Sequence, residues 1–499
     1  MSSPSPAVPV LAAPRDPRSE RRALAILLLL GTLFFVLRWA GPSNLTDNDQ
    51  ERPASYVLDA VVNHHWLAQQ DWTGDLTSKP PLYTWLAATF STIAGRVSLF
   101  TLYLPCGLAI VGTAWLTARE TTRIAGWRSG FLAGWFVLVN PLSAKLIALA
   151  RTDAVFTFTV SLTAMLAFRA WTHPNSPWIR AWIAATAATL TKGPLGIWMG
   201  FCGLAAAYAK REPRAARPAL LPQLAGLALL LAVAGGWFLL AWQSTGDALV
   251  NKMLKAELVQ HAVRRDNTLP GAGLLLVPAY FLGRFAPWSV LAVAGAWLAW
   301  RTPGPLTEAS RFRRFCAAWI AGGILVLGLA SHQRGDLVSP LVLPGAVLAA
   351  SVAEPWFRRG SDRKFLVGLA VLGVVAALGL QIQHQQRRLD TFASSAGCAQ
   401  LARTYLAQGG QPARLLHLDT PYALQFHLQT MERAVTGAEA ATRLVADPTL
   451  HVALSDRSLL EPHLAAALGT LHTVARWPAG TGTPRLEILQ FQPVPARAP

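Results

Sequence analysis

Apolar runs recur along most of this chain, at about 23–40, 98–117, 130–149, 153–172, 178–191, 195–209, 219–242, 274–300, 315–330, 337–353 and 364–381. The longer ones reach the roughly 20 residues that a helix needs to cross a bilayer. Inside hydrocarbon each backbone N–H and C=O must be bonded within its own segment, so such runs fold as helices. Composition agrees, with 53% hydrophobic and only 14% charged residues and a mean hydropathy of +0.34. Soluble domains carry about 25% charged residues, so a single water-soluble globule is excluded. Disorder and fibrous repeats are excluded by the apolar content and the lack of a heptad or Gly-X-Y period. Cys106, Cys202, Cys316 and Cys398 have neither metal-ligand nor redox spacing and read as small buried hydrophobes.

The chain has 44 Lys+Arg against 26 Asp+Glu, a formal net charge of +18. The arginines cluster in short connections, which argues for loops on the cytoplasmic side rather than for nucleic acid. Arg119/Arg123/Arg128, Lys210/Arg211/Arg214/Arg217, Arg301/Arg311/Arg313/Arg314 and Arg358/Arg359/Arg363/Lys364 fall between alternate runs. Placing each group inside predicts about 11–13 transmembrane helices with the C-terminus outside. Residues 1–22 read as a disordered basic cytoplasmic tail and 23–381 as the transmembrane domain. Residues 41–79 form its first outer loop, with interfacial helices, and Pro80–Gly95 is a half-buried or interfacial helix. Residues 382–499 lack a spanning segment. Strands are predicted at Leu415–Asp419, His451–Ser455, Leu471–Trp477 and Leu486–Phe491, with helices near 391–408 and 457–468. The fold class is a polytopic α-helical membrane protein with a small C-terminal α/β domain outside.

Polar residues gather in the predicted outer loops: Asp47, Asp49, Arg52, Asp71, Asp75, Lys79, Arg151, Asp153, Lys192, Glu257, His261, Arg334 and Asp336. Each alone is an ordinary loop charge; together they suit a site for a charged substrate attached to lipid. Arg52, Ser55, Asp59 and Asn63 recur at helical spacing, which predicts a helix lying in the interface with one polar face. Asp47, Asp49 and Glu51 form an acid cluster in which like-charge repulsion favours a proton-accepting carboxylate, although Asp49 can equally cap the helix. Lys79 precedes Pro80-Pro81, a helix start, so its ammonium and the helix N-terminus both favour a phosphate; anchoring at the interface is the other reading. Asp153 opens a helix, where an acid is favoured by the dipole alone. Glu257 and His261, at i and i+4, share a face but are too few to define a metal site, and the adjacent His64-His65 pair receives no role.

Asp49-Gln50-Glu51-Arg52, Lys79-Pro80-Pro81-Leu82-Tyr83-Thr84-Trp85-Leu86, Ala150-Arg151-Thr152-Asp153 and Thr191-Lys192-Gly193-Pro194 occur in the order found in lipid A aminoarabinose transferases, which the chain resembles over roughly residues 23–381. Pro287-Trp288-Ser289 and Ser331–Pro344 resemble later segments of that family. Those enzymes are relatives of the protein O-mannosyltransferases and share the GT-C membrane architecture. The resemblance implies transfer of a sugar from a polyprenyl-phosphate donor to a lipid A-like or other envelope acceptor, at the periplasmic face of the inner membrane. Asp49 matches the family's catalytic acid, Asp153 a second active-site acid and Lys79 the lysine that meets the donor phosphate; His261 matches a family histidine loosely. Ser78 stands where the aminoarabinose enzymes commonly have Glu, so a divalent metal bound there is not implied. Arg151 and Arg334 join Lys79 as candidate phosphate ligands, with Asp47, Arg52, Lys192, Glu257 and His261 as further candidates. Transfer to protein Ser/Thr is the alternative. A flippase is a third reading, disfavoured because the charges sit at one face and no inverted repeat is visible.

Overall fold

The computed structural model describes residues 17–43, 45, 48–209, 212, 218–253, 272–301, 306–330, 333–357, 360–465, 467–479 and 485–494. Its apolar runs form helices α1 (Pro17–Trp39), α4 (Leu99–Ala125), α5 (Trp127–Leu138), α6 (Pro141–Leu146), α7 (Asp153–Thr172), α8 (Ile179–Lys192), α9 (Leu195–Tyr208) and α10 (Leu220–Thr245). They continue as α11 (Gly273–Arg284), α12 (Trp288–Arg301), α13 (Glu308–Leu329), α14 (Val342–Phe357) and α15 (Asp362–Gln386). The loop after α1 adds α2 (Asn48–Val62) and α3 (Leu82–Ile93). Among the described residues seven helices are long and apolar enough to cross a bilayer, and α11 with α12 makes an eighth if counted as one span bent by 119°. The protein is a multi-pass membrane protein. Residues 17–22, expected in the tail, already belong to α1.

Small residues set the packing. Gly126 (φ 91°) turns the chain sharply between α4 and α5. A Cβ at Gly130 would lie 2.5 Å from the Ala118 carbonyl, so only glycine lets these two backbones approach so closely. The N-terminus of α4 is closed by a capping box of Ser98 and Thr101. Two predicted runs break. The run at 130–149 ends as a helix at Leu138, and Asn140 caps the separate short α6 by accepting from the Ser143 N–H. The run at 274–300 is divided at Phe285–Pro287 into α11 and α12. Hydropathy is blind to both breaks because the residues on either side stay apolar.

Ion pairs mark one end of the bundle. Arg123 pairs with Glu308 at 2.8 Å, Arg311 with Glu212 at 3.0 Å, and Arg128 and Arg169 with Asp362 and Glu120. We call this the opposite face. The other end carries the C-terminal domain and is called the domain face. There α16 (Leu389–Ala407) leads into a sheet of order β1-β2-β4-β3, with β1 (Leu415–Leu418) and β2 (His451–Leu454) parallel, and β3 (Gly469–Trp477) and β4 (Leu486–Pro493) antiparallel to their neighbours. Helices α17 (Tyr422–Leu428) and α18 (Gly437–Ala446) fill the β1–β2 crossover. In the stretch 457–468 the chain forms short turns at Arg457–Leu459 and Glu461–Leu464 in place of the predicted longer helix.

The sheet domain docks on the first loop. Trp72 stacks on Tyr422 with ring centroids 5.2 Å apart, and the Ala434 N–H donates to the Trp72 carbonyl. This contact corrects the expectation of an interfacial α2. Ala54, Val57, Leu58 and Ala60 are fully buried, and so are the supposedly wet Ser55 and Asp59. The Asp59 carboxylate accepts from Asn63, His65 and the Gln70 N–H, so the polar face is satisfied by the loop folded back on it. His65, given no role above, is one of those partners.

Candidate active site

Five separate stretches converge at the domain face. The first turn of α2 presents Asp49, whose carboxylate accepts from both terminal nitrogens of Arg334 at 3.1–3.2 Å. Arg151, in the connection between α6 and α7, lies 3.8 Å from the same carboxylate. It also reaches Asp153 at 3.2 Å and Asp336 at 2.9 Å, so one guanidinium bridges three acids. Burial alone would lower the Arg151 pKa, but the charges of Asp153, Asp49 and Asp336 outweigh it and raise it. The Gln50 side chain accepts from the Ala150 N–H at 2.9 Å and fixes this connection to α2.

Asp153 is the first residue of α7 and Lys192 the last of α8, each at the helix end whose dipole favours its charge. The two are hydrogen-bonded, and Asp153 is 2% exposed. Lys79 stands on the exposed turn before α3, held by the Thr77 hydroxyl donating to the Lys79 carbonyl at 3.0 Å; its charge acts on Asp153. The fifth stretch, Arg334–Asp336, leads into α14. There Asp336 also accepts from Lys145 of α6 at 2.6 Å, and its Oδ1 is buried with no hydrogen-bond partner among the described residues.

Among the described residues, Lys79, Lys145, Arg151, Lys192 and Arg334 thus face Asp49, Asp153 and Asp336: five cations against three acids, an excess of two positive charges within that set. Arg284, at the end of α11, lies beside this stretch, with its Nε 2.7 Å from where a Cβ of Gly335 would stand, and among the described residues pairs with none of the three acids. Such an excess at fixed positions suits an anion with two negative charges, such as a phosphate monoester.

Sequence reasoning named Asp49, Lys79, Arg151, Asp153, Lys192 and Arg334, and all six gather here. Arg52 does not join them. It pairs with Asp71 at 3.4 Å and Asp75 at 3.9 Å, and Lys252 hydrogen-bonds Asp75 and, with Arg52, keeps its carboxyl below the usual range. Glu51 is buried; burial of the Tyr422 phenol, helped by the charges of Glu51 and Asp59, pushes that phenol far up. Among the described residues the carboxylate of Asp49 therefore meets the cations Arg151 and Arg334. Asp47, Glu257 and His261 lie outside the described residues. Among the described residues no three His, Cys, Asp or Glu are grouped to hold a metal ion. Lys145 and Arg284 were missed. Each is a cation inside or at the edge of an apolar run, which is itself a signal of function.

The sequence profile of the family described as dolichyl-phosphate-mannose-protein mannosyltransferase matches residues 78–242. No curated protein sequence matches the chain. Among solved structures, ArnT from Cupriavidus metallidurans in the apo state is 17% identical, with a TM-score of 0.71 over 93% of this chain and 97% of that one. The same protein bound to undecaprenyl phosphate gives 17% identity and a TM-score of 0.67 over 94% and 97%. The arabinofuranosyltransferase AftD from Mycobacteria gives 16% identity and a TM-score of 0.53, over 96% of this chain and 40% of AftD. The chain therefore has the GT-C fold of ArnT and, in the stretch holding Lys79, Arg151, Asp153 and Lys192, is similar to the dolichyl-phosphate-mannose-protein mannosyltransferases.

Proposed function

We propose that the protein is a membrane glycosyltransferase that moves a sugar from a polyprenyl-phosphate donor to a lipid A-like or other envelope acceptor, working at the periplasmic face of the inner membrane with its N-terminus in the cytoplasm. The observation that carries this reading is the surplus of two positive charges around Asp49, Asp153 and Asp336 on one face of a lipid-embedded bundle. The likeness to a structure bound to undecaprenyl phosphate supports the donor class.

In the transfer, the bond between the sugar and the phosphate oxygen breaks and one between the sugar and the acceptor oxygen forms. The leaving phosphate becomes a dianion, and fixed cations stabilise that growing charge without having to reorganise. Lys79, Arg151 and Arg334 are assigned to it. In the free protein Arg334 and Arg151 hold Asp49; an arriving phosphate competes for both guanidiniums and leaves Asp49 available to take the acceptor's proton. Asp153 positions Arg151 and Lys192, and no step is routed through a metal.

A second reading, transfer to a protein Ser or Thr hydroxyl, is favoured by the family match at residues 78–242. Mass spectrometry of envelope lipids and glycoproteins from cells with and without the protein separates the two. A lipid lacking one sugar supports the first reading, and an unmodified glycoprotein supports the second. Unchanged sugar transfer in cells carrying Asp49→Asn or Lys79→Ala would overturn the site assignment.

A further inference from the structure

We infer that a cleft of about 690 Å³ between the C-terminal domain and the turn joining α3 to α4 binds the phosphate headgroup of an anionic lipid. Its polar wall is made by Arg96, Arg403, His427 and Gln429 and its apolar floor by Leu406 and Leu428. It shares no residue with the Asp49 cluster, so the inference stands independently of the proposed transfer.

Charge defines the ligand. Arg96 and Arg403 are both exposed, and neither forms an ion pair among the described residues. Among the described residues the one side-chain hydrogen bond of Arg403 goes to the Ala399 carbonyl on its own helix. No carboxylate lines the cleft. The Nε2 of His427 is buried with no hydrogen-bond partner among the described residues. Burial first, then the charges of Arg403 and Arg96, hold this imidazole at about 4, so it is neutral at pH 7 and lies within electrostatic range of both guanidiniums. Two guanidinium forks beside a neutral imidazole can hold a phosphate through charge-assisted bonds.

The wall is fixed rather than a chance gap. Gln429, in the left-handed region at φ 57°, uses its side chain to accept from the Val97 N–H and donate to the Val97 carbonyl, both at 3.0 Å. The domain is thereby fastened to the turn that carries Arg96.

Depth then selects a lipid. Two residues beyond Arg96, Ser98 caps α4, and Phe100 in its first turn packs edge-on against Phe35 and Trp39 at the end of α1. Trp39 and Phe100 are partly exposed, as expected of aromatic side chains at the boundary between water and hydrocarbon, and Ile93, the last residue of α3, is 78% exposed. The arginines therefore stand at headgroup height, with leucines below the phosphate to meet the glycerol and upper acyl chain.

The test is native mass spectrometry of the full-length protein in detergent, titrated with phosphatidylglycerol or with phosphatidylcholine of the same chains. The wild type should retain one phosphatidylglycerol in preference to phosphatidylcholine. Arg96→Ala with Arg403→Ala should weaken that retention by about tenfold. Arg96→Lys with Arg403→Lys keeps the charges but loses the forks and should fall between the two, which preserves the test if the alanine pair fails to fold. Equal retention of both lipids by the wild type, or undiminished phosphatidylglycerol preference in both variants, would overturn the inference. So would release of phosphatidylglycerol by inorganic phosphate as readily as by added phosphatidylglycerol.

Discussion

At the opposite face of the bundle, among the described residues, four arginines are ion-paired with four carboxylates, Arg123, Arg128, Arg169 and Arg311 with Glu120, Glu308, Asp362 and Glu212, while Arg119, Arg301, Arg313 and Arg314 form no ion pair. At the domain face five cations share three carboxylates. The first set balances and ties helix to helix, α4 to α7 through Arg169 and α5 to α15 through Arg128. The second set leaves positive charge over and an acceptor oxygen of Asp336 without a partner. Balanced pairs at helix ends need nothing further to be stable. The difference therefore lies in the pattern of pairing: each of those four arginines ties one segment to another, whereas α2, α6, α7, α8 and the Arg334–Asp336 stretch bring several cations onto the same three acids, where an anion can compete for them.

The largest effect that can break this distinction is Asp49→Asn. Loss of a general base typically slows transfer by about 10²–10⁴-fold, while its loosely held ion pairs contribute at most about 1 kcal/mol to stability. Single-turnover transfer followed by mass spectrometry, together with a thermal melt, checks both. Full transfer would reduce Asp49 to the same structural status as the acids of the opposite face.

Arg169→Met tests the other side. Glu120 is 2% exposed and would keep only Arg123, at 3.6 Å. Stranding a buried charge is costly, here about 1–3 kcal/mol because one partner remains. The melting temperature should fall while binding of polyprenyl phosphate stays unchanged. A loss of binding with unchanged stability would invert the comparison.

How far the sequence reveals this contrast depends on the residue. The apolar runs and the basic groups between them foretell both faces, because bilayer thickness fixes the length of a span and each charged cluster must leave the hydrocarbon. Asp49, Lys79, Arg151 and Asp153 are legible because they open or precede helices, where charge and dipole act together. Lys145 is hidden within an apolar run, and only the fold shows that Asp336, far along the chain, is its partner. The polar stripe of α2 is visible as a period, but periodicity does not say what covers it. Asp59 looks wet until Asn63, His65 and Gln70 are folded against it. Arg52 looks like part of the site for the same reason, since spacing from Asp49 does not reveal that Asp71 and Asp75 claim it.

Lys145→Met sharpens the charge argument. It removes one of two cations on Asp336 and cuts the surplus from two to one. A lost charge near a half-exposed site is worth about 1 kcal/mol in binding a phosphate, so polyprenyl phosphate should bind about fivefold more weakly, by native mass spectrometry. Undiminished affinity would mean that Lys145 only neutralises Asp336 and that the surplus is not felt at the donor.

The smallest expected effect is the stability change in Arg334→Ala. The Arg334–Asp49 pair is bidentate in form, with both partners more than one-third exposed. An exposed pair recovers little Coulomb energy beyond the side-chain entropy it costs, so the melt should move by less than about 1 kcal/mol. Removing the guanidinium also takes away one of the two cations that hold Asp49. If the pair were a staple like Arg128–Asp362, nothing else would change. If it is the donor's phosphate anchor in waiting, affinity for polyprenyl phosphate drops, and the dependence of binding on salt becomes shallower because one fewer charge contact is made. A flat melt with weaker and less salt-sensitive binding marks Arg334 as part of the site; a shifted melt with unchanged binding would place it with the arginines of the opposite face.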